Sequence, residues 1–273
     1  MNKPFKLIQA KYVELPNGKV VESPRSKTCF ILIIFLIAVI FSVKITGFSL
    51  PILMKRGKQF FVILASMCPP DWNYFSKVTG PLLDTIKMSL LGSFVGSILC
   101  VPFAALAASN LVHSKWVSSV VKIVFSLIRT LPTLVTALIA TFILGLGTLA
   151  GTVAIAIFTF AYVGKQLYEQ LETVDMKAHE AMIALGAGKF RAFISAVIPQ
   201  VLPIYLSTCL FCFEGNVRYA SILGYVGAGG LGLILNERIS LREYSSVGSI
   251  LFALFVTVVL IESLSHYLRS KLT

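Results

Sequence analysis

Charge is what this sequence has least of. Asp and Glu number 12 in 273 residues, and charged residues of both signs make up 13%. Soluble chains carry about 25%. With 56% hydrophobic residues and a mean hydropathy of +0.85, the chain is too apolar for a soluble fold. The sparse charge is lopsided, with 24 Lys and Arg and a net charge of +12. Those positives are too thinly spread for a nucleic-acid face, which needs dense Lys and Arg. No nucleic acid is expected as a partner.

Metal and redox chemistry lack their usual residues. The three His (113, 179, 266) stand far apart, with no metal-ligand spacing. The five Cys (29, 68, 100, 209, 212) are odd in number and fall mostly in apolar runs. That suits reduced, buried thiols better than a disulfide framework. Cys209 and Cys212 form a CxxC, but no βαβ pattern surrounds it. A Walker A sequence is also missing: Gly188-Lys189 runs into Phe190. Gly227, Gly229 and Gly232 spell GxGxxG without a preceding strand or an acid about 20 residues on. Nucleotide binding by this chain is rejected, no cofactor is expected, and no convergent polar cluster points to an enzyme.

What the chain does have is long apolar runs, and a membrane-crossing helix needs about 20 such residues. A basic segment, 1–27, carries Lys3, Lys6, Lys11, Lys19, Arg25 and Lys27. The first span covers 28–43, extendable to about 50. Residues 51–80 are mixed, and 60–68 reads as interfacial. A second span covers 85–108, with Gly92 and Gly96 spaced for close helix packing. Residues 109–130 read as an interfacial amphipathic stretch. Pro132 opens a third span over 131–146, since the first helical N–H needs no partner. Gly145, Gly147 and Gly151 make a tight turn before a fourth span, 152–168. A polar segment, 169–198, precedes a fifth span over 201–223, opened by Pro199 and Pro203. A Gly-rich stretch (224–232) and a polar one (233–246) lead to the sixth span, 247–267. The expected fold class is an all-α polytopic membrane protein with about six spans, divided at 1–27, 28–80 and 81–273.

Six spans place both termini on one side, and the positive-inside rule assigns that side to the cytoplasm. More than half of the Lys and Arg then fall there. Lys55, Arg56 and Lys58 run against the bias.

Two segments carry more than hydropathy. Residues 178–185 favour helix, and Gly186 and Gly188 break it. A short second helix follows, with Phe190, Phe193 and Ile194 on an apolar side. Such an elbow can fit a groove on a partner protein, with His179, Glu180, Ala181, Gly186, Ala187 and Gly188 as contact and shape determinants. The alternative is an ordinary loop with helical content. The second segment is the fifth span, where Glu214 and Arg218 are the two ionisable groups. Four residues apart, they share a helix face in the favourable acid-first order. Ionisable groups at membrane depth are costly and face the bundle interior, a partner or a water path. They either pair to fix helix packing or serve a substrate path. In the second case Arg218 conducts an anion through its planar fork, and Glu214 masks it between cycles. Asn216, also placed along that path, points away from their face and can hydrogen-bond across helices. Gly224, Gly227, Gly229 and Gly230 suit a gate of flexible backbone or a close helix crossing.

Glu180-Ala181-Met182, Gly186 and Ile198-Pro199 resemble the EAA loop of ABC-importer permeases, with Met182, Ala196 and Ile198 as departures from the pattern. Arg129-Thr130-Leu131-Pro132 and the run Leu223–Gly232 are similar to permeases of the methionine-importer fold class. Phe213-Glu214-Gly215-Asn216-Val217-Arg218 and Asn236-Glu237-Arg238-Ile239 are similar to the permease of phosphonate ABC importers. The resemblance covers about residues 80–270. It implies a type I importer permease fold and a coupling loop at 169–199 that docks on separate cytoplasmic ATPase subunits, which bind the ATP. It also implies a soluble binding protein outside, a homodimer in the lipid bilayer, and a phosphonate or related oxyanion as substrate. Arg218, Arg238 and Arg242 are compatible with an anion. The rival readings are a same-fold permease for another solute, such as an amino acid, and an ATP-independent channel or secondary transporter.

Overall fold

The computed structural model describes residues 12–14, 18, 20–22, 28–112 and 114–272. His113 and the six basic residues of 1–27 lie outside the described residues. The chain divides into two units, Met1–Val62 and Ile63–Thr273.

In the first unit, Tyr12–Glu14 (β1) and Val20–Glu22 (β2) pair antiparallel, with Val13 opposite Val21. A basic, polar reading of 1–27 contains no such hairpin. Helix α1 (Thr28–Ile45) is apolar on every side, as a lipid-embedded helix must be. It meets α2 (Leu50–Ser66) at a 66° bend, with Gly47 at φ 64° in the break. Residues 60–66, read above as part of an interfacial patch, are the second half of this helix.

The second unit carries α3 (Phe75–Ala107), α4 (Lys115–Thr130), α5 (Thr133–Leu144) and α6 (Thr148–Thr173). Two short helices follow, α7 (Lys177–Ala184) and α8 (Lys189–Ala192), then a π turn over Phe193–Val197. The chain ends with α9 (Ile198–Leu223), α10 (Leu231–Ser240) and α11 (Tyr244–Arg269). Among the described residues, four helical stretches are each long and apolar enough to cross a membrane: 72–107, 148–173, 189–226 and 244–269.

The third expected span needs correcting. Helix α5 has 12 residues, about 18 Å at 1.5 Å per residue, too short to cross alone. It joins the amphipathic α4 at a 90° bend. Pro132 causes the break: it disfavours helical backbone at the residue before it, and Leu131 is extended at φ −77°, ψ 123°. The six crossings are therefore at most four straight stretches and two bent pairs. A second correction concerns Gly151, which lies inside α6 and not in the turn.

Helices α3 and α6 form the spine. A Cβ on Gly92 would sit 2.8 Å from Thr152 O, and one on Gly96 2.5 Å from Ala156 O. The glycines thus let two backbones touch, the close approach that small residues permit in membranes. Gly164 makes room for the fully buried Phe125 of α4, which packs on Phe160 and Tyr168. Lys122 of α4 and Ser109 both donate to Glu172 of α6, at 2.7 Å and 2.6 Å. Gly96→Leu is expected to destabilise the protein by about 3 kcal/mol or more, since backbone cannot yield to an added side chain as a rotamer can. Thermal unfolding of the purified protein measures this.

Candidate functional site

The elbow at 177–192 is built by local rules. Asp175 Oδ1 accepts from Lys177 N, the first residue of α7, at 3.0 Å. Glu180 sits in its first turn, where the helix dipole favours an acid. The helix ends because Gly186 takes φ +87°, letting Gly186 N bond Ile183 O at 2.9 Å and Ala187 N bond Met182 O at 3.0 Å. That is the glycine-capped terminus expected of a helix stop. Glu180, Ala181, Gly186 and Gly188 are exposed, and His179 and Ala187 are half-buried. Phe190 departs from the expected apolar face: it is 76% exposed, whereas Phe193 packs inward; Leu185, at the end of α7's run, is 88% exposed. The elbow therefore exposes two apolar side chains and an acid, Glu180. Leu185 carried no signal of its own, because one Leu at the end of a helical run reads as core.

Inside α9, Glu214 and Arg218 pair as their spacing predicts. Their exposures differ: the Glu214 side chain is 6% accessible and that of Arg218 50%. The other carboxylate oxygen faces Arg269 of α11, whose Nη2 lies 3.5 Å away. Glu214 is therefore a buried anion between two guanidiniums, one on its own helix and one across the bundle. Arg269 was legible only as a tail cation, because nothing in the sequence tells which helix its fork meets.

Asn216 takes the cross-helix role. Its Nδ2 donates to Ser93 Oγ of α3 and Thr159 Oγ1 of α6, each at 2.8 Å, and the residue is buried. It ties three helices together on the side away from Arg218.

The glycine-rich run is pinned rather than loose. Gly227, Gly229 and Gly230 all hold positive φ. Leu231 N donates to Thr85 Oγ1 at 2.8 Å, and Gly147 N to Gly227 O at 3.0 Å. A Cβ on Gly224 would collide with the backbone of Gly232, and one on Gly232 with that of Ser221. Glycine here permits a close crossing of α9 and α10. Arg238 is fully engaged: it bonds Tyr74 Oη at 3.0 Å, Glu243 at 2.6 Å and Glu237 at 3.2 Å. Glu243 first, then Tyr74, pushes its pKa above the ordinary arginine value. It clamps α10 to its neighbours, whereas the Arg218 side chain, inside a crossing helix, stays 50% exposed.

Comparison with known proteins bears on this arrangement. Residues 100–272 match the model of the binding-protein-dependent transport system inner membrane component family. The chain is 31% identical over 201 residues to the phosphite transport system permease protein PtxC of Stutzerimonas stutzeri, covering 74% of this chain and 73% of that one. It is 32% identical over 211 residues to the phosphate-import permease protein PhnE of Mycolicibacterium smegmatis, covering 77% of this chain and 40% of that one. Among solved structures, the MetNI methionine ABC transporter in an inward-facing conformation aligns with a TM-score of 0.64 at 18% identity. That alignment covers 74% of this chain and 99% of the other, and at such identity it speaks for the fold. The expected importer-permease architecture is therefore present, with the short hairpin of β1 and β2 added before it. With residues 100–272, well over half of its length, inside the family model, this multi-pass membrane protein belongs to the binding-protein-dependent transport system inner membrane components.

Proposed function

We propose that the chain is the permease subunit of an ATP-driven importer carrying phosphite, a phosphonate or a related phosphorus oxyanion. The observation that carries the substrate class is Arg218: a half-exposed guanidinium inside a crossing helix, beside a buried carboxylate. A planar fork of donors suits a tetrahedral oxyanion. Relatives named for phosphite and phosphate import support the same class.

In this reading the termini are cytoplasmic, and the elbow with His179, Glu180, Ala181, Gly186, Ala187 and Gly188 docks on a separate ATPase subunit. Two copies of the chain surround one path. A soluble binding protein delivers substrate at the opposite face, near the pinned glycine crossing of Gly224, Gly227, Gly229 and Gly230. ATP-driven closure of the ATPase pair binds one elbow arrangement better than the other and so shifts the permease between inward- and outward-facing states.

Proteoliposomes holding the permease with its ATPase and binding protein test this. ATP-dependent accumulation of phosphite or methylphosphonate is the expected result. Uptake without ATP would overturn the importer reading, and uptake of D-methionine in their place would overturn the substrate class.

A further inference from the structure

Arg218 opens into a recess of about 350 Å³ between α6 and α9, far more than a single water needs. Tyr162 and Tyr219 line it too, with Phe158, Phe211 and Gly215. Phe158 stacks on Tyr162 at 5.7 Å and meets Tyr219 edge-on at 5.9 Å, so it braces both tyrosine rings. Neither tyrosine hydroxyl bonds another described residue, although tyrosine hydroxyls in apolar surroundings ordinarily find a partner. The recess thus holds one guanidinium fork and two uncommitted O–H donors among aromatic rings. That donor set suits an anion with several acceptor oxygens, and the apolar walls strengthen each bond made to it.

One obstacle stands in the way. Arg218 already donates to Glu214, and a buried carboxylate stripped of its cation is strongly disfavoured. Arg269 removes the obstacle, because it faces the second oxygen of the same carboxylate from α11. We propose that the recess of Arg218, Tyr162 and Tyr219 is a station for a tetrahedral phosphorus oxyanion, and that Arg269 is the positioning residue that retains Glu214 when Arg218 turns to the anion. Arriving substrate takes hydrogen bonds from Arg218 and both hydroxyls, and Glu214 passes from a shared pair to Arg269. On departure Arg218 returns to Glu214 and the donors are masked again. The proposal rests on the oxyanion reading above.

The test is phosphite uptake by the complete complex in proteoliposomes. Tyr162→Phe and Tyr219→Phe each remove one charge-assisted bond, so each is expected to raise the phosphite concentration for half-maximal uptake about tenfold. Arg269→Gln leaves Glu214 clamped on Arg218, and the maximal rate falls about tenfold on the same scale. Adding Glu214→Gln to Arg269→Gln releases the clamp and restores most of that rate, and Arg269→Lys keeps it. Tyrosine variants with the parent's half-maximal concentration would overturn the station. A double variant as slow as Arg269→Gln would reduce Arg269 to a packing role. A parent complex that takes up neither phosphite nor methylphosphonate would sink the oxyanion reading itself, and would show this before any variant is compared.

Discussion

Glu180→Arg in the assembled importer is expected to lower substrate uptake about a hundredfold and to break the proportion between ATP hydrolysis and transport. The side chain stands exposed on α7, in an elbow that also exposes Leu185 and Phe190, and docking faces combine apolar anchors with polar groups. Reversing a charge at a docking contact replaces attraction with repulsion, which costs several kcal/mol. The fold itself is spared, because α7 has no buried residue. Gly186 gives an independent check. A Cβ there would meet nothing within 4 Å, so its φ of +87° is the sole constraint. Gly186→Val is expected to uncouple the complex by distorting the elbow, whereas Gly186→Asn, which tolerates left-handed backbone, keeps most of the coupling. The measurement is phosphite accumulated per ATP hydrolysed. A Glu180→Arg complex with the parent's ratio would end the docking assignment.

Much of this was legible in the sequence, for reasons particular to each element. Hydropathy locates α1, α3, α6, α9 and α11 because a lipid-facing helix cannot hide its composition. Gly92 and Gly96 are spaced for close helix packing, but small residues are common in membrane helices, and only the structure names α6 as the partner. Glu214 and Arg218 pair because i, i+4 geometry is local. What the sequence withheld is mostly non-local. The length of α5 depends on how sharply Pro132 turns the chain, and a proline allows either a kink or a start. Arg269 and Tyr162 lie about 50 residues from Glu214, on other helices, and helix packing alone brings them to the Glu214–Arg218 pair. The glycine run was legible only as two alternatives, because glycine permits loose backbone and tight crossings equally, and the clash at Gly224 and Gly232 favours the crossing.

Arg218→Ala separates transport from structure most sharply. Uptake is expected to fall about a hundredfold or more, since a bidentate pair of charge-assisted bonds to the anion is lost. Stability should change by about 1 kcal/mol or less, because the Arg218 side chain is half exposed and such pairs contribute little. Glu214 is not stranded by this change: Arg269 still faces its other oxygen at 3.5 Å. Stranding it takes both arginines. Arg218→Ala with Arg269→Ala should cost about 3–5 kcal/mol, the penalty for an uncompensated buried charge, and adding Glu214→Gln should recover most of it. Thermal unfolding and size-exclusion of the purified variants, set beside their uptake rates, distinguish the cases. If Arg218→Ala alone unfolds or disperses the complex, the pair is a packing device and the path lies elsewhere. If uptake collapses in a folded complex, the buried carboxylate is a resting partner for a cation whose working partner is the substrate.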